Sequence, residues 1–479
     1  MTAFDYDIAV IGGGAAGLTV SSGAAQLGAK TLLIEKEPSL GGDCLHFGCV
    51  PSKTLIHSAK VYHDMQQGRR FGLPEISPPP VDFGLVARRI QSVIDVIQVH
   101  DSVERFNGLG VEVEFGSPCF CDEHVVDLNG RRISAKSWVI ATGSSPAAPR
   151  VDALKDIRYI TSKEIFSLEK LPQSMIVLGA GPIAIEMAQA FSRLGTEVSV
   201  IQRSAQILSK EDQDMADEVM AALEEEGVRF FLNATVTAAS EDSHGKHISI
   251  SQGDRSVRLS AETLLLAQGR RPNVEGLGLD TIDLDYTPKG IVVDNRMRSS
   301  QKHIYAPGDI NGSFQFTHAA GYEAGIVVSN AIFHLPRKVN TRWMPWCTYT
   351  EPELSSIGMN EKQARQAGID YDVWTESFRE NDRALAEGEE RGTLKLLLDK
   401  KERPIGIQIL GPRAGDLIGE WIAVLNGGMK LSSLAGTIHP YPTLTEISKR
   451  VAGSFVSPKI FSPGIKKALR FLFKLQGSR

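Results

Sequence analysis

The chain has 479 residues, 42% of them hydrophobic and 23% charged, with a formal net charge of −5. That length and apolar content suit two to four folded domains and exclude disorder as the main state, while the mild acidity excludes the basic footprint of a nucleic-acid-binding protein. The opening MTAFDYDIAVIGGG has no basic region followed by an apolar run, no stretch is apolar enough to span a bilayer, and five cysteines are too few and odd in number for a secreted disulfide framework, so a cytoplasmic protein is expected.

Residues 7–11 form a short, continuous apolar run, expected as a buried parallel strand, that leads directly into Gly12-Gly-Gly14-Ala-Ala-Gly17. A helix pattern follows to Leu27, and a strand over 30–35 ends in Glu35. This is a βαβ unit suited to a dinucleotide. Gly12 permits the tight turn, Gly14 admits a pyrophosphate close to the backbone, and Gly17 lets helix and strand approach; the helix N-terminus favours phosphate, and Glu35 accepts from a ribose.

Next comes Leu40-Gly-Gly-Asp-Cys44-Leu-His-Phe-Gly-Cys49-Val-Pro-Ser-Lys53. Cysteines five apart lie roughly 140° out of line on a helix, so a local distortion is needed to join them, and Gly48 and Pro51 supply one. Beside a flavin such a pair receives two electrons and passes them on by thiolate exchange or metal reduction. Taken alone, it reads equally as a metal half-site or as two buried hydrophobes. A proline-rich loop over 73–80 precedes an amphipathic helix pattern from about Phe83 to Phe106. Cys119 and Cys121 share one side of a short strand and read as buried small residues rather than a second redox pair. A further strand ends at Ala141-Thr142-Gly143.

The glycine device recurs as an apolar run into Gly179-Ala-Gly181, a helix to Gly195 and a strand over 197–202. At the offset where Glu35 closes the first unit stands Gln202, followed by Arg203. Loss of the carboxylate removes repulsion against a ribose 2′-phosphate, and a guanidinium pairs with that phosphate, so NADPH is favoured over NADH; the alternative is an Arg203 that points to solvent. Two more apolar strands end at Gly269 and Gly308-Asp309. From Lys338 a region of alternating strands and helices, with Cys347 in its opening strand, has no glycine fingerprint and reads as an interaction domain.

In combination these motifs resemble the flavoprotein disulfide reductase family, which includes dihydrolipoamide dehydrogenase, glutathione reductase and mercuric reductase. The order is first fingerprint, Cys-x4-Cys-x-Pro-Ser-Lys, Ala-Thr-Gly, second fingerprint, Gly-Arg-x-Pro-Asn, Gly-Asp and a terminal Pro-Thr-x-x-Glu, and it runs to about Val456. The resemblance implies an α/β chain with two dinucleotide-binding Rossmann-like domains plus a C-terminal α+β dimerisation domain. Its expected divisions are an FAD-binding domain (1–150 and 272–336), an NAD(P)-binding domain (151–271), a dimerisation domain (337–456) and a basic amphipathic tail (457–479). It also implies FAD, a nicotinamide donor and a homodimer whose third domain completes the partner's active site. Cys49 is then the thiolate against the flavin and Cys44 the one that attacks substrate. Lys53 and Glu186 form an ion pair beside the flavin, Asp309 holds the ribityl chain, Thr317-His318 open a helix near the isoalloxazine, and Thr142, Gly143 and Gly269 line the cofactor. No resident metal is implied.

Three departures stand out. Disulfide-reducing members of the family carry a second histidine, backed by glutamate, near the C-terminus; here His439-Pro-Tyr441-Pro-Thr-Leu-Thr-Glu446 puts tyrosine in its place. A phenol with a pKa near 10 is a poor base at neutral pH. His439 is either a displaced base or a packed histidine. Tyrosine resembles mercuric reductase, yet no cysteine follows Cys347 to deliver metal. Pro182 stands where the family often places an aromatic gate, which opens the flavin face to dioxygen or quinones.

The resulting expectation is a mercuric-reductase-like FAD enzyme that passes electrons from NADPH, with NADH as the alternative donor, through flavin to Cys44–Cys49. The acceptor is a metal ion, a small disulfide or a quinone. The rival readings are a dihydrolipoamide dehydrogenase of a multienzyme complex, against which Tyr441 argues, and a low-turnover flavin redox sensor. The tail carries six basic residues and no acidic one. On a helical wheel Lys466, Lys467, Arg470 and Lys474 fall in one sector against Ile465, Ala468, Leu469, Phe471, Leu472, Phe473 and Leu475. That division suits peripheral contact with the inner membrane surface or a partner; a helix packed on its own dimer is the alternative.

Overall fold

A computed structural model describes residues 4–149 and 151–476. The chain falls into two compact units, one of residues 1–205 and 226–340 and the other of 206–225 and 341–479. No described helix is long and apolar enough to cross a membrane.

In the first unit β1 (Tyr6–Ile11), α1 (Ala15–Gln26) and β2 (Thr31–Glu35) build the opening crossover. α2 (Gly42–His46) and α3 (Cys49–Gln66) follow, then α4 (Phe83–Gln98) and α5 (Val103–Gly108). The amphipathic pattern expected as one helix over 83–106 is thus two: Ser102 leaves the helical conformation and its hydroxyl accepts from the Arg105 amide, which caps a new start. The strands β3 (Val111–Phe115), β4 (Cys119–Asp122), β5 (Val125–Leu128) and β6 (Arg131–Ile140) complete a sheet of order β3-β2-β1-β6-β5-β4. β1, β2, β3 and β6 run parallel, and their apolar side chains feed cores on both faces. This is why β1 reads as an unbroken apolar run rather than an alternation.

After β7 (Ser144–Pro146), the second crossover is β8 (Ser174–Leu178), α6 (Pro182–Leu194) and β9 (Glu197–Ile201). Helix α7 (Gln213–Glu225) belongs to the other unit. The strand β10 (Arg229–Phe231) returns to the four-stranded sheet β10-β9-β8-β14, with the hairpins of β11 (Ala234–Asp242), β12 (Gly245–Gln252) and β13 (Arg255–Ala261) before β14 (Thr263–Leu266). β15 (Arg270–Pro272) pairs antiparallel with β7. A small ladder, β16 (Tyr286–Thr287) with β17 (Gly290–Ile291), leads to β18 (Ile304–Tyr305), which joins β6 of the first sheet, and to α8 (Thr317–Ala331), which packs on α1.

The second unit is a five-stranded antiparallel sheet of β19 (Pro345–Thr348), β20 (Glu353–Gly358), β21 (Tyr371–Ser377), β22 (Thr393–Asp399) and β23 (Pro404–Gly411), in the order β19-β20-β23-β22-β21. Short helices α9 (Glu361–Gln366) and α10 (Asp382–Glu387) border it, and α11 (Ala414–Gly427), α12 (Leu431–Ala435) and α13 (Glu446–Ile460) close a core around the fully buried Trp421. Helix α13 runs through Ser457. Helix α14 (Pro463–Phe473) begins at Pro463 and buries none of its residues. Lys474 has left the helix, with φ 51°, and Arg479 lies outside the described residues.

Candidate active site

Both fingerprint glycines do what their conformation requires. Gly12 has φ 110° and Gly179 φ 108°, and a Cβ at either would lie 2.4 Å from a backbone oxygen, that of Ala141 or Ala267. A Cβ on Gly17 would sit 1.8 Å from the Gly12 oxygen, so only glycine lets α1 meet β1. The backbone at Gly14 and Gly181 is open by contrast: a Cβ would find nothing nearer than 3.7 Å at Gly14 and nothing within 4 Å at Gly181. Neither helix has a side-chain cap there, so its first amides face outward as donors for phosphate. These two open, uncapped turns fit two dinucleotides.

Glu35 is buried at the end of β2, where its carboxylate accepts from the amides of Gly13 (2.6 Å) and Glu37 (2.9 Å), which fixes its orientation beside the first glycine turn. At the corresponding end of the second crossover, Gln202 donates from Nε2 to Ser204 Oγ at 2.7 Å, and Arg203 is exposed.

The cysteines meet because the helix breaks between them. α2 stops at His46 and α3 starts at Cys49, with Gly48 at φ −127° and ψ −114°; a Cβ on Gly48 would lie 3.0 Å from the Asp43 oxygen. The thiol of Cys44 then hydrogen-bonds the sulfur of Cys49. That bond, aided by Thr317 and the charge of Lys53, outweighs desolvation and lowers the Cys49 pKa to about 6. Thr317 Oγ1 lies 3.5 Å from Cys49 Sγ. The same bond and burial push the Cys44 thiol upward. At neutral pH the reduced pair is a Cys49 thiolate held by a protonated Cys44. Lys53, one turn further along α3, donates from Nζ to Glu186 Oε2 of α6 at 2.7 Å, with the carboxylate side chain only 5% exposed.

Asp309 accepts from Ser144 Oγ at 2.5 Å, and burial raises its pKa. Sequence reasoning assigned no role to the residues that organise this corner. Arg270 donates from Nε to Ser144 Oγ (2.8 Å) and from Nη2 to the Ser144 carbonyl (2.7 Å), and its Nη2 also pairs with Asp43 Oδ2 at 2.9 Å. It thereby ties α2, at the residue before Cys44, to Ser144 and through it to Asp309. Asn273 clasps Thr142 in both directions, at 2.8 and 2.9 Å, next to Gly143 at φ 68°. Gly269 has φ 110°, and buried Glu323 accepts from the Gly308 amide at 2.7 Å to hold the turn before Asp309. The available signal was the Gly-Arg-x-Pro-Asn motif itself, whose polar members had no other task. His318 is exposed and stacks on Phe316, with centroids 5.2 Å apart.

His439, Tyr441 and Glu446 belong to the second unit. Tyr441 is 72% exposed; its hydroxyl donates to Asp382 Oδ2 at 2.8 Å, and that bond raises its pKa further. His439 is nearly buried, with Nε2 on Glu420 Oε1 at 2.7 Å and no partner for Nδ1. Glu446 accepts from the Thr443 amide at 3.3 Å at the start of α13, and its charge adds to the rise in the Tyr441 pKa. Cys119 and Cys121 contradict their expected burial, since both are exposed.

The sequence matches the family described as pyridine nucleotide-disulphide oxidoreductase over residues 6–324, and that family's dimerisation domain over 344–452. The chain belongs to this family. It is 32% identical over 445 residues to a mercuric reductase of Bacillus cereus, covering 92% of this chain and 70% of that protein. It is 33% identical over 446 residues to a dihydrolipoyl dehydrogenase of Bacillus subtilis, covering 92% and 96%. The HOCl-induced flavoprotein disulfide reductase RclA of Escherichia coli has a similar structure, with TM-score 0.84 and 26% identity over 94% of this chain and 99% of that one. As a pyridine nucleotide-disulphide oxidoreductase the chain uses FAD and NAD(P)H and has the domain through which the family forms homodimers. Bound FAD supplies two-electron transfer between nicotinamide and cysteine pair.

Proposed function

We propose that this oxidoreductase takes electrons from NADPH and delivers them through Cys44–Cys49 to a thiophilic acceptor that needs no proton from the protein, with a soft metal ion as the first choice. As the pair closes to a disulfide, two electrons leave with the acceptor and the Cys44 proton is released. The observation that carries this reading is Tyr441, committed to Asp382 with its pKa raised, where disulfide-reducing relatives hold an imidazole. A buried His439 that is engaged by Glu420 does not replace that base. Soft cations bind thiolates directly and need no general acid. Gln202-Arg203 favours NADPH as donor, because an exposed guanidinium without a carboxylate beside it suits a 2′-phosphate. Steady-state NADPH oxidation with Hg(II), lipoamide and a soluble quinone tests the reading. Turnover fastest with the metal ion supports it, and fastest turnover with lipoamide overturns it in favour of a dihydrolipoamide dehydrogenase.

A second reading concerns location. Helix α14 leaves Phe471, Leu472 and Phe473 83%, 66% and 68% exposed next to Lys466, Lys467 and Arg470. We infer peripheral attachment to an anionic membrane, since apolar insertion and attraction to headgroups then act together.

A further inference from the structure

The pair Cys119 and Cys121 has no role in the chemistry above, and its placement is unlike that of a structural cysteine. Free cysteines are usually retained as small buried hydrophobes. Here both are exposed, on β4, the edge strand of the first sheet. Burial therefore does not explain sulfur at either position.

The local fold sets the two thiols on one face. Phe120 between them pairs with Val126, and its ring enters the core at 2% exposure, edge-on to Trp138 with centroids 5.4 Å apart. Its amide donates to the Leu277 carbonyl at 2.9 Å, so the strand carrying the thiols is anchored on both sides. Cys119 pairs with Asp127, and the ladder then slips by one residue between Phe120 and Asp122, leaving Cys121 unpaired in the bulge. With Phe120 turned inward, Cys119 and Cys121 turn outward together. Cys121 Sγ donates to the Cys119 carbonyl oxygen and Cys119 Sγ to that of Phe120, each at 3.9 Å, so each thiol makes one long contact to its own strand. A Cβ on Gly278 would come within 2.8 Å of Cys119 Sγ, so the facing turn makes room for this thiol only as glycine.

We propose that Cys119 and Cys121 form a second dithiol site, separate from Cys44–Cys49, that binds one soft monovalent or divalent cation such as Cu(I) between two thiolates. Alternate residues of a strand have Cα atoms about 6.6 Å apart. A two-coordinate cation with metal–sulfur bonds of about 2.3 Å needs sulfurs about 4.6 Å apart, a convergence that two side chains on one face reach by rotation about χ1. Thiolate softness selects Cu(I) over hard cations, and binding releases two protons with no change in oxidation state. The inference does not rest on the identity of the acceptor at Cys44–Cys49.

The test uses the FAD-loaded, full-length Cys44→Ser/Cys49→Ser protein, in which Cys119, Cys121 and Cys347 are the remaining cysteines. It is titrated anaerobically with Cu(I) held by bicinchoninate. One Cu(I) per chain should be withdrawn from the competitor. Adding Cys119→Ser or Cys121→Ser should weaken binding by roughly 10²-fold or more, the loss expected when the second ligand of a chelate is removed, while Cys347→Ser leaves it unchanged. Cys119→Ala, with an unchanged far-ultraviolet spectrum, guards against a folding defect. Failure to withdraw Cu(I), two Cu(I) per chain at the pair, or equal affinity in the single-thiol variants overturns the proposal.

Discussion

Lys53 Nζ and Glu186 Oε2 are 2.7 Å apart, and this contact joins the helix that starts at Cys49 to the helix that starts at the second fingerprint. The ammonium lies close enough to Cys49 to favour its thiolate, while the Glu186 carboxylate opposes it. The pair thus sets the charge beside the redox sulfur from both directions.

The first prediction concerns Cys49. After two-electron reduction the holoenzyme should show a long-wavelength thiolate-to-flavin absorption. Because the Cys49 pKa is lowered to about 6, the band should persist above that pH and fade as pH falls through it. Cys49→Ser should abolish the band and Cys44→Ser retain it. Retention in Cys49→Ser would reverse the assigned roles.

The titration midpoint of that band should move with the ion pair. Lys53→Met removes a charge that lowers the Cys49 pKa, so the midpoint should rise; Glu186→Gln removes one that raises it, so the midpoint should fall. Lys53→Met also removes the ammonium that pairs with a buried carboxylate, at a cost of about 1–3 kcal/mol in urea unfolding, moderated by the partial exposure of Lys53. Midpoints that shift together would refute the opposed roles.

Donor choice should follow Arg203. Wild-type protein should prefer NADPH in kcat/KM, and Arg203→Ala should narrow the preference by roughly 1.5–3 kcal/mol, the range for a charged hydrogen bond. Equal use of NADH by the wild type contradicts this.

Lipoamide reduction should be slow, and Tyr441→His should raise it, by up to roughly 10²–10⁴-fold if an imidazole reaches the proton. Glu446 is held by the Thr443 amide, which places the gain toward the lower end. Rapid wild-type turnover of lipoamide would remove the basis for this prediction.

For the tail, full-length protein should co-sediment with anionic liposomes at low salt and a chain truncated after Phe455 should not. Each basic residue near the surface contributes about 1 kcal/mol, so the attachment should weaken as salt rises. If both proteins stay in the supernatant, a helix packed on the dimer replaces membrane contact.

The parts of this architecture legible in the sequence are those decided locally. Gly12 and Gly17 are fixed by a turn and a close approach within one βαβ unit, and Gly48 marks the break that joins Cys44 to Cys49. The Ser102 cap was hidden because the apolar period continues across it. The exposure of Cys119 and Cys121 was hidden for a different reason: alternation tells which residues share a face, not which face meets the core, and Phe120 took the core side. Arg270 reaches Asp43 from a distant part of the chain, a pairing that only β7 and β15 bring about.

Residues 206–225 belong to the second unit although the sequence on either side belongs to the first. Buried Glu211 receives Trp346, Ser356 and Gln408 at 2.6, 2.9 and 3.0 Å, and Lys395, 3% exposed, is neutralised by Asp212 and Asp214 together with Glu361. A fragment beginning at Thr341 would retain the five-stranded sheet yet lose the acid that these three donors share and two of the three carboxylates around a nearly dry lysine. The C-terminal sheet is therefore not a detachable module. Chimaeras that exchange it between relatives must exchange this distant insert with it, or inherit three donors without their shared acid and a lysine left with Glu361 alone.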